Sequence, residues 1–461
     1  MSLSRKFKSL VIAGILFCGI CAAESPEAFS LSNGIKIYNY KNQSSRTGTV
    51  NILVKGGVKN YGPEFSGLED ALFYMMCDSS VKYDKQSIMT FNYKTSSVFD
   101  YSTGSYGSYI YTSFVDSYFE QSLDILTEGF LNPSYSKQGF DQLIQLYQNK
   151  IQKNSRSEEA QLFKNMRSKL YKGNLLETQT TPDENSLLNI TVENLKLYHS
   201  FVMDPQNISV VVVGNLKKSK LKKLLESKLG SIKKSASSAY FGRDENFISQ
   251  KCNFTNSSEM QENSNSFMTS YLLKVYPMCN QNHKDYMASK IAADMYSSQL
   301  YNVVREKYGA CYTPSCFTTS GDTGLGFTYI FKGSDIQNMN SYINEATELM
   351  MENKFIISKT LEGDFSFASI QDCVESYKNK FFTGTYEGIS TNSGRAGYAC
   401  SSLLRFGDPE KLLELTESVS MVTGEQVLDV FRKYWGNQSD EYECFAVASP
   451  EKADECKKYW K

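Results

Sequence analysis

The sequence predicts an α+β protein of two homologous lobes, each an antiparallel-rich sheet packed with helices, and three observations predict it. The chain has 461 residues, long for one hydrophobic core and sufficient for two lobes of about 200 residues. Residues 231–264, near the middle, lose periodicity and fill with Ser, Asn and charge, the composition of a linker with room for one strand. On either side the same order of strands and helices recurs, and the endings correspond: Thr191-Val-Glu-Asn, a helix and the strand VVVVG, against Thr423-Gly-Glu-Gln, a helix and the strand ECFAVAS. The expected boundaries are a leader at 1–23, lobes at 24–230 and 265–461, and the linker between them.

Taken in order, the chain opens with Arg5, Lys6 and Lys8 before the apolar run LVIAGILFCGI, and Cys21-Ala22-Ala23 puts small residues where signal peptidase cuts. Export with cleavage after Ala23 is expected, to the periplasm or beyond. The alternative is a lipoprotein anchored at Cys21, although Ile20 before it is bulkier than such sites favour. No later stretch is long and apolar enough to span a bilayer. IKIYNY from Ile35 and then TVNILVKGG alternate apolar and polar residues as half-buried strands do. After Gly67, Leu68, Leu72, Met75 and Met76 recur at helical spacing on one face.

SSVFDYSTGSYGSYIYTSFV reads as a hairpin broken at Gly104 to Gly107, and the helix SYFEQSLDILTEGFL after it stops at Asn132-Pro133. Two amphipathic helices follow at about 137–153 and 157–172, then the capped helix after Thr191, the buried strand NISVVVVGNL and a lysine-rich helix at 217–228. The second half begins with the strand SFMTSYLLKVY and a long helix from about 283 to 305, and continues through YTPSCFTT and GLGFTYIFKG into further helices.

Composition narrows the function. Hydrophobic residues at 41% and charged ones at 21% describe an ordinary soluble globular protein. A net charge of -1 gives no global field to recruit nucleic acid or anionic lipid. Nine cysteines remain after the leader, scattered and odd in number, which argues for burial or an occasional disulfide rather than a metal site. GSYGSY and GDTGLG are hairpin turns, since neither follows a strand, opens a helix and ends in Gly-Lys-Ser/Thr. Asn-x-Ser/Thr sequons stand at Asn42, Asn189, Asn207, Asn253, Asn256 and Asn437.

The turn and helix GGVKNYGPEFSGLEDALFYMM, Gly56 to Met76, resemble those of the pitrilysin/insulinase-type (inverzincin) zinc peptidases, in the branch of the mitochondrial processing peptidase. That family reads Gly-Leu-x-H-x-x-E-H-Met there, two histidines one helical turn apart binding zinc and the glutamate activating water. Asp70, Phe73 and Tyr74 hold those positions here. Phenylalanine cannot act as a base, and a phenol with a pKa near 10 is a poor ligand at neutral pH. The third ligand, a Glu roughly 75 residues downstream behind a segment like FLNPSYSKQGFDQLIQLYQNKI, falls on Lys150 or its neighbour Asn149. The only histidines, His199 and His283, are distant in sequence.

In the second half, SSQLYNVVREKYGACYT resembles the family's S-S-R-L-x-x-x-L-R-E-x-x-G-x-x-Y, with Gln299 replacing its first Arg. The resemblance puts Arg305 and Tyr312 on the family's substrate-facing Arg/Tyr pair; the competing reading is a helix-end salt bridge for Arg305 and simple packing for Tyr312. No glycine-rich loop appears near IAADMYSSQL, unlike the non-catalytic mitochondrial subunit.

The resemblance covers about 29–450 and implies LuxS/processing-peptidase-like lobes. It also implies a subunit inactive alone, with no cofactor and no metal of its own. Its partner would be a zinc-containing peptidase homologue in a heterodimer, and its ligands unfolded peptides. The alternative is a stand-alone peptide-binding or scaffold protein that kept the fold and lost catalysis.

Overall fold

Period-two alternation at the start of the first lobe becomes two interior strands of one sheet, separated by a third, in the computed structural model, which describes residues 25–234, 239–244, 246–263, 269–359, 363–436 and 442–456. The expected leader and the Asn437 sequon lie outside the described residues. The first half runs β1 (Glu27–Ser30), β2 (Lys36–Lys41), β3 (Thr47–Lys55), α1 (Leu68–Asp78), α2 (Lys85–Thr95), β4 (Val98–Gly104) and β5 (Gly107–Val115). It continues with α3 (Phe119–Leu131), α4 (Lys137–Ser155), α5 (Glu158–Leu170), α6 (Val192–Val202), β6 (Ile208–Gly214) and α7 (Lys218–Leu229). Its sheet has the order β1-β2-β6-β3-β5-β4, antiparallel except where β2 meets β6.

The second half runs β7 (Ser257–Glu262), β8 (Ser270–Pro277), α8 (Tyr286–Leu300), β9 (Cys311–Thr318), β10 (Leu325–Gly333) and α9 (Met339–Met351). Then come the hairpin β11 (Phe355–Lys359) and β12 (Phe365–Ala368), α10 (Ile370–Gly388), α11 (Asn392–Phe406), α12 (Lys411–Ser418), α13 (Gly424–Phe431), β13 (Glu443–Ala448) and α14 (Pro450–Cys456). The sheet order β7-β13-β8-β10-β9 reproduces β2-β6-β3-β5-β4 strand for strand, including the parallel pair, here β7 with β13. The two helices that open alike also cap alike. Thr191 accepts from the Asn194 backbone N–H, and Thr423 forms a full capping box with Gln426.

β7 arises within the stretch expected as linker and supplies the outer strand of the second sheet. The long helix ends earlier than its apolar pattern suggests, because residues 301–307 continue it as a π-helical turn.

Each sheet buries one face under its own helices and the other under a helix from the opposite half. Ala396, Ala399, Cys400 and Leu403 of α11 pack on Leu53, Val211 and Val213 of the first sheet. Leu162, Met166 and Leu170 of α5 pack on Leu273, Val275, Phe445 and Val447 of the second. That exchange explains why β6 is apolar on both faces although one of its two neighbours, β3, runs antiparallel to it. The small residues of α11 let helix and sheet approach closely. The eight cysteines whose side chains are described form no disulfide. Among the described residues no helix is long and apolar enough to cross a membrane.

Candidate functional site

The helix that would carry a metal starts at Gly67, where φ is 85° and a Cβ would stand 2.4 Å from Pro182. Only glycine fits that approach. From this start α1 aims Asp70 at β4 and α4. The Asp70 carboxylate accepts from the Thr103 hydroxyl at 2.8 Å and from the Tyr147 phenol at 2.6 Å. Burial, and then the nearby Asp70 charge, push the Tyr147 phenol well up, so it stays a donor. Phe73 is fully buried in the first-lobe core with its ring 6.4 Å from that of Tyr101, and Tyr74 packs half-buried at the margin of the same core.

The third position differs from the sequence expectation in what it does. Lys150 is exposed on α4 and is not among the groups bonded to Asp70, whereas Tyr147, almost one turn earlier, reaches it. Helical phase decides this: Gly139, Leu143 and Tyr147 form the buried stripe of α4. His199 holds the Phe130 carbonyl at 2.9 Å, with burial lowering its pKa, and His283 accepts from the Asp285 backbone N–H at 3.1 Å. No three His, Cys, Asp or Glu side chains converge to hold a metal among the described residues. Asp70 is already taken by two donors, Phe73 offers no ligand atom and Tyr147 stands in the way, so these residues do not fit a zinc ion.

Beside Asp70 lies a group that inspection of the motif passes over. Glu69 is fully buried and accepts from Ser108 and, at 2.5 Å, from Tyr198, whose hydroxyl in turn accepts from Asn60 at 3.1 Å. Burial raises its pKa from 4.5 to about 7 against the opposing pull of Ser108 and Tyr198. The folded state therefore holds this proton more tightly than the unfolded chain, and raising the pH from 4.5 to about 7 removes stability. Relative to Glu69→Gln, the wild type should lose about 3 kcal/mol across that window. Parallel denaturant titrations at the two ends check it; an equal pH response in both proteins would remove Glu69 as the cause.

The second pair of sequence candidates does come together. The Arg305 guanidinium donates to the Tyr312 carbonyl at 2.8 Å and lies 5.0 Å from the Tyr301 ring centre and 5.4 Å from that of Tyr312. Its approach to Glu306, 3.9 Å between half-exposed groups, is a weak surface contact. Tyr312 is 63% exposed, and its hydroxyl makes no hydrogen bond among the described residues. Gln299, where the family motif has Arg, is buried and ties β11 to α8 by accepting from the Ile356 N–H at 3.0 Å.

Arg305 also completes a pattern along the edge strand β9. Lys290 donates to the Thr318 carbonyl at 2.8 Å, the Ser297 hydroxyl accepts from the Cys316 N–H at 3.2 Å, and Arg305 holds Tyr312. Between the last two stands Pro314, which has no N–H. Pairing of the other residues with β10 turns these groups outward, so the helix running alongside blunts the edge at successive positions. What this strand presents outward is side chains, Tyr312 and Thr313 at its start and Phe317 near its end, with Tyr312 the more exposed of the two aromatic rings.

Comparisons with known proteins agree with the two-lobed fold. Residues 36–183 match the insulinase family (peptidase family M16), and residues 189–355 match the peptidase M16 inactive domain. A protease from Helicobacter pylori is 15% identical, with a TM-score of 0.78 over 92% of this chain and 100% of that one. A peptidase M16 inactive domain from Pseudomonas fluorescens is 13% identical, with a TM-score of 0.75 over 92% and 98%. The periplasmic protease PqqL from Escherichia coli is 15% identical, with a TM-score of 0.73 over 93% of this chain but 46% of that one. The chain belongs to the insulinase family, peptidase family M16, and has the two-lobed architecture of the family's solved structures.

Proposed function

We propose that this chain is the zinc-free subunit of a heterodimeric M16 peptidase, exported to the periplasm or beyond after cleavage of residues 1–23. It helps bind unfolded peptides and contributes Arg305 and Tyr312 to the active site of a zinc-containing homologue. The carrying observation is the exposed Tyr312 phenol on a blunted edge strand, its backbone held by Arg305. A residue that only packed would bury its ring, and a phenol left free can donate to an oxygen that becomes anionic when water attacks a peptide bond. The division of roles also gives the occupied Asp70 site a rationale: this chain supplies positioning and a donor, while the metal belongs to the partner. The periplasmic location of PqqL, a protein of like fold, supports export.

Affinity purification of the tagged chain from its native host, followed by mass spectrometry and elemental analysis, tests the partnership. A second M16 protein with an intact H-x-x-E-H motif should accompany it, with zinc and peptidase activity in the complex and neither in the separated chain. Recovery of the chain alone or self-associated, without zinc or cleavage, would instead support the stand-alone peptide-binding alternative.

A further inference from the structure

A cavity of about 880 Å3 lies where the first lobe, the connecting segment and the second lobe meet. It lies past the end of β9, at the β9–β10 turn, whereas Tyr312 stands near the beginning of that strand, so it is separate from the Arg305/Tyr312 site. Its volume is within the range of roughly 300–1,000 Å3 for small-molecule and peptide-residue pockets.

Arg243 gives the cavity a fixed cation. Its Nε donates to the Tyr61 carbonyl at 2.8 Å, one terminal nitrogen donates to the Thr178 hydroxyl at 2.5 Å, and the guanidinium lies 4.1 Å from the centre of the Phe247 ring. These contacts fix the plane of the group without neutralising it, since none of its partners is a carboxylate. Glu64 and Glu177 influence it only from beyond ion-pair distance. The second terminal nitrogen has no hydrogen-bond partner among the described residues.

Lys251 lines the same space and is likewise without an ion pair or hydrogen bond among the described residues. The third cation, Lys59, is 3.7 Å from Asp322. The other carboxylate on the wall, Asp244, is exposed and accepts from the Asn246 N–H at 2.8 Å. Around these donors stand Phe201, Phe247, Phe254 and Met278, an apolar surface that a bare inorganic anion would leave unused.

We propose that this cavity binds a carboxylate carried on an aromatic or apolar body, the chemistry shared by a peptide's C-terminal residue and a free aromatic carboxylic acid. The guanidinium and the Lys251 ammonium take the carboxylate, and the aromatic wall takes the side chain. Neither step needs the partner subunit, so this site and the Arg305/Tyr312 site stand or fall separately.

Calorimetric titration of the full chain with N-acetylphenylalanine and with its C-terminal amide tests the assignment. The acid should bind, and the amide at least roughly tenfold more weakly, a difference of about 1.4 kcal/mol. Lys251→Ala, at an exposed residue, should weaken the acid by about fivefold or more while leaving the amide and the thermal midpoint unchanged. Phe247→Ala should weaken both ligands. A tripeptide acid ending in phenylalanine that binds more tightly than the single residue identifies peptide C-termini as the source; equal or weaker binding identifies free acids. Equal affinity for acid and amide, no heat from either at millimolar concentration, or acid binding indifferent to Lys251→Ala would overturn the proposal.

Discussion

Tyr312→Phe is expected to lower kcat of the reconstituted heterodimer by roughly tenfold to a thousandfold, the range for deleting one donor to a developing oxyanion. The ring and its exposure are preserved, so assembly and thermal midpoint should stay as they were. Arg305 acts through a different atom: its guanidinium holds the Tyr312 carbonyl and stacks between Tyr301 and Tyr312. Arg305→Ala should therefore lower kcat by freeing the strand that carries the phenol, and the double variant should be little worse than Tyr312→Phe alone. Arg305→Lys restores one donor toward the carbonyl and should recover part of the turnover. A role confined to packing predicts the opposite set, a lower thermal midpoint with unchanged turnover per intact complex. Full activity in the double variant would end the shared-site reading.

The strands and caps were legible because they depend on local chemistry. Period-two alternation fixed β2 and β3, Gly104 to Gly107 fixed the hairpin, and Thr191 and Thr423 announced matching helices. Helix α2 escaped because Ile88 is its only buried residue, so it writes no apolar stripe; it is held instead by the Asp84 cap, which accepts from the Ser87 N–H at 2.7 Å. The exchange of α5 and α11 between lobes escaped for another reason. An apolar stripe states that a helix is covered, and nothing in its spacing states by which sheet.

At the site, the loss of ligands was readable from residue type alone, whereas the replacement was not. Counting along the chain reaches Lys150, but contact follows the helical phase that turns Tyr147 inward. The buried stripe Gly139, Leu143, Tyr147 was the available signal. Glu69 gave none, since an acidic residue in the first turn of a helix is ordinarily a solvent-exposed partner of the helix dipole.

Restoring the family motif with Asp70→His, Phe73→Glu and Tyr74→His should yield a protein without stoichiometric zinc and destabilised by about 4 kcal/mol or more. Most of that loss arises at Phe73, which is fully buried and packed near Tyr101, so a carboxyl group there replaces apolar burial with an unmatched polar group. Asp70→His adds to it by removing the acceptor of Thr103 and Tyr147 and leaving a buried phenol without a partner, a cost of about 1–3 kcal/mol. The metal cannot repay these terms, because the third-ligand position is a lysine and the phenol of Tyr147 fills the direction from which a ligand on α4 would approach. Adding Lys150→Glu should therefore still fail unless Tyr147 is also reduced to a small residue. Thermal denaturation and elemental analysis of the dialysed variants decide the matter together. A triple variant as stable as the wild type, or one that retains zinc through dialysis, would mean that the core around α1 still accommodates the ancestral site.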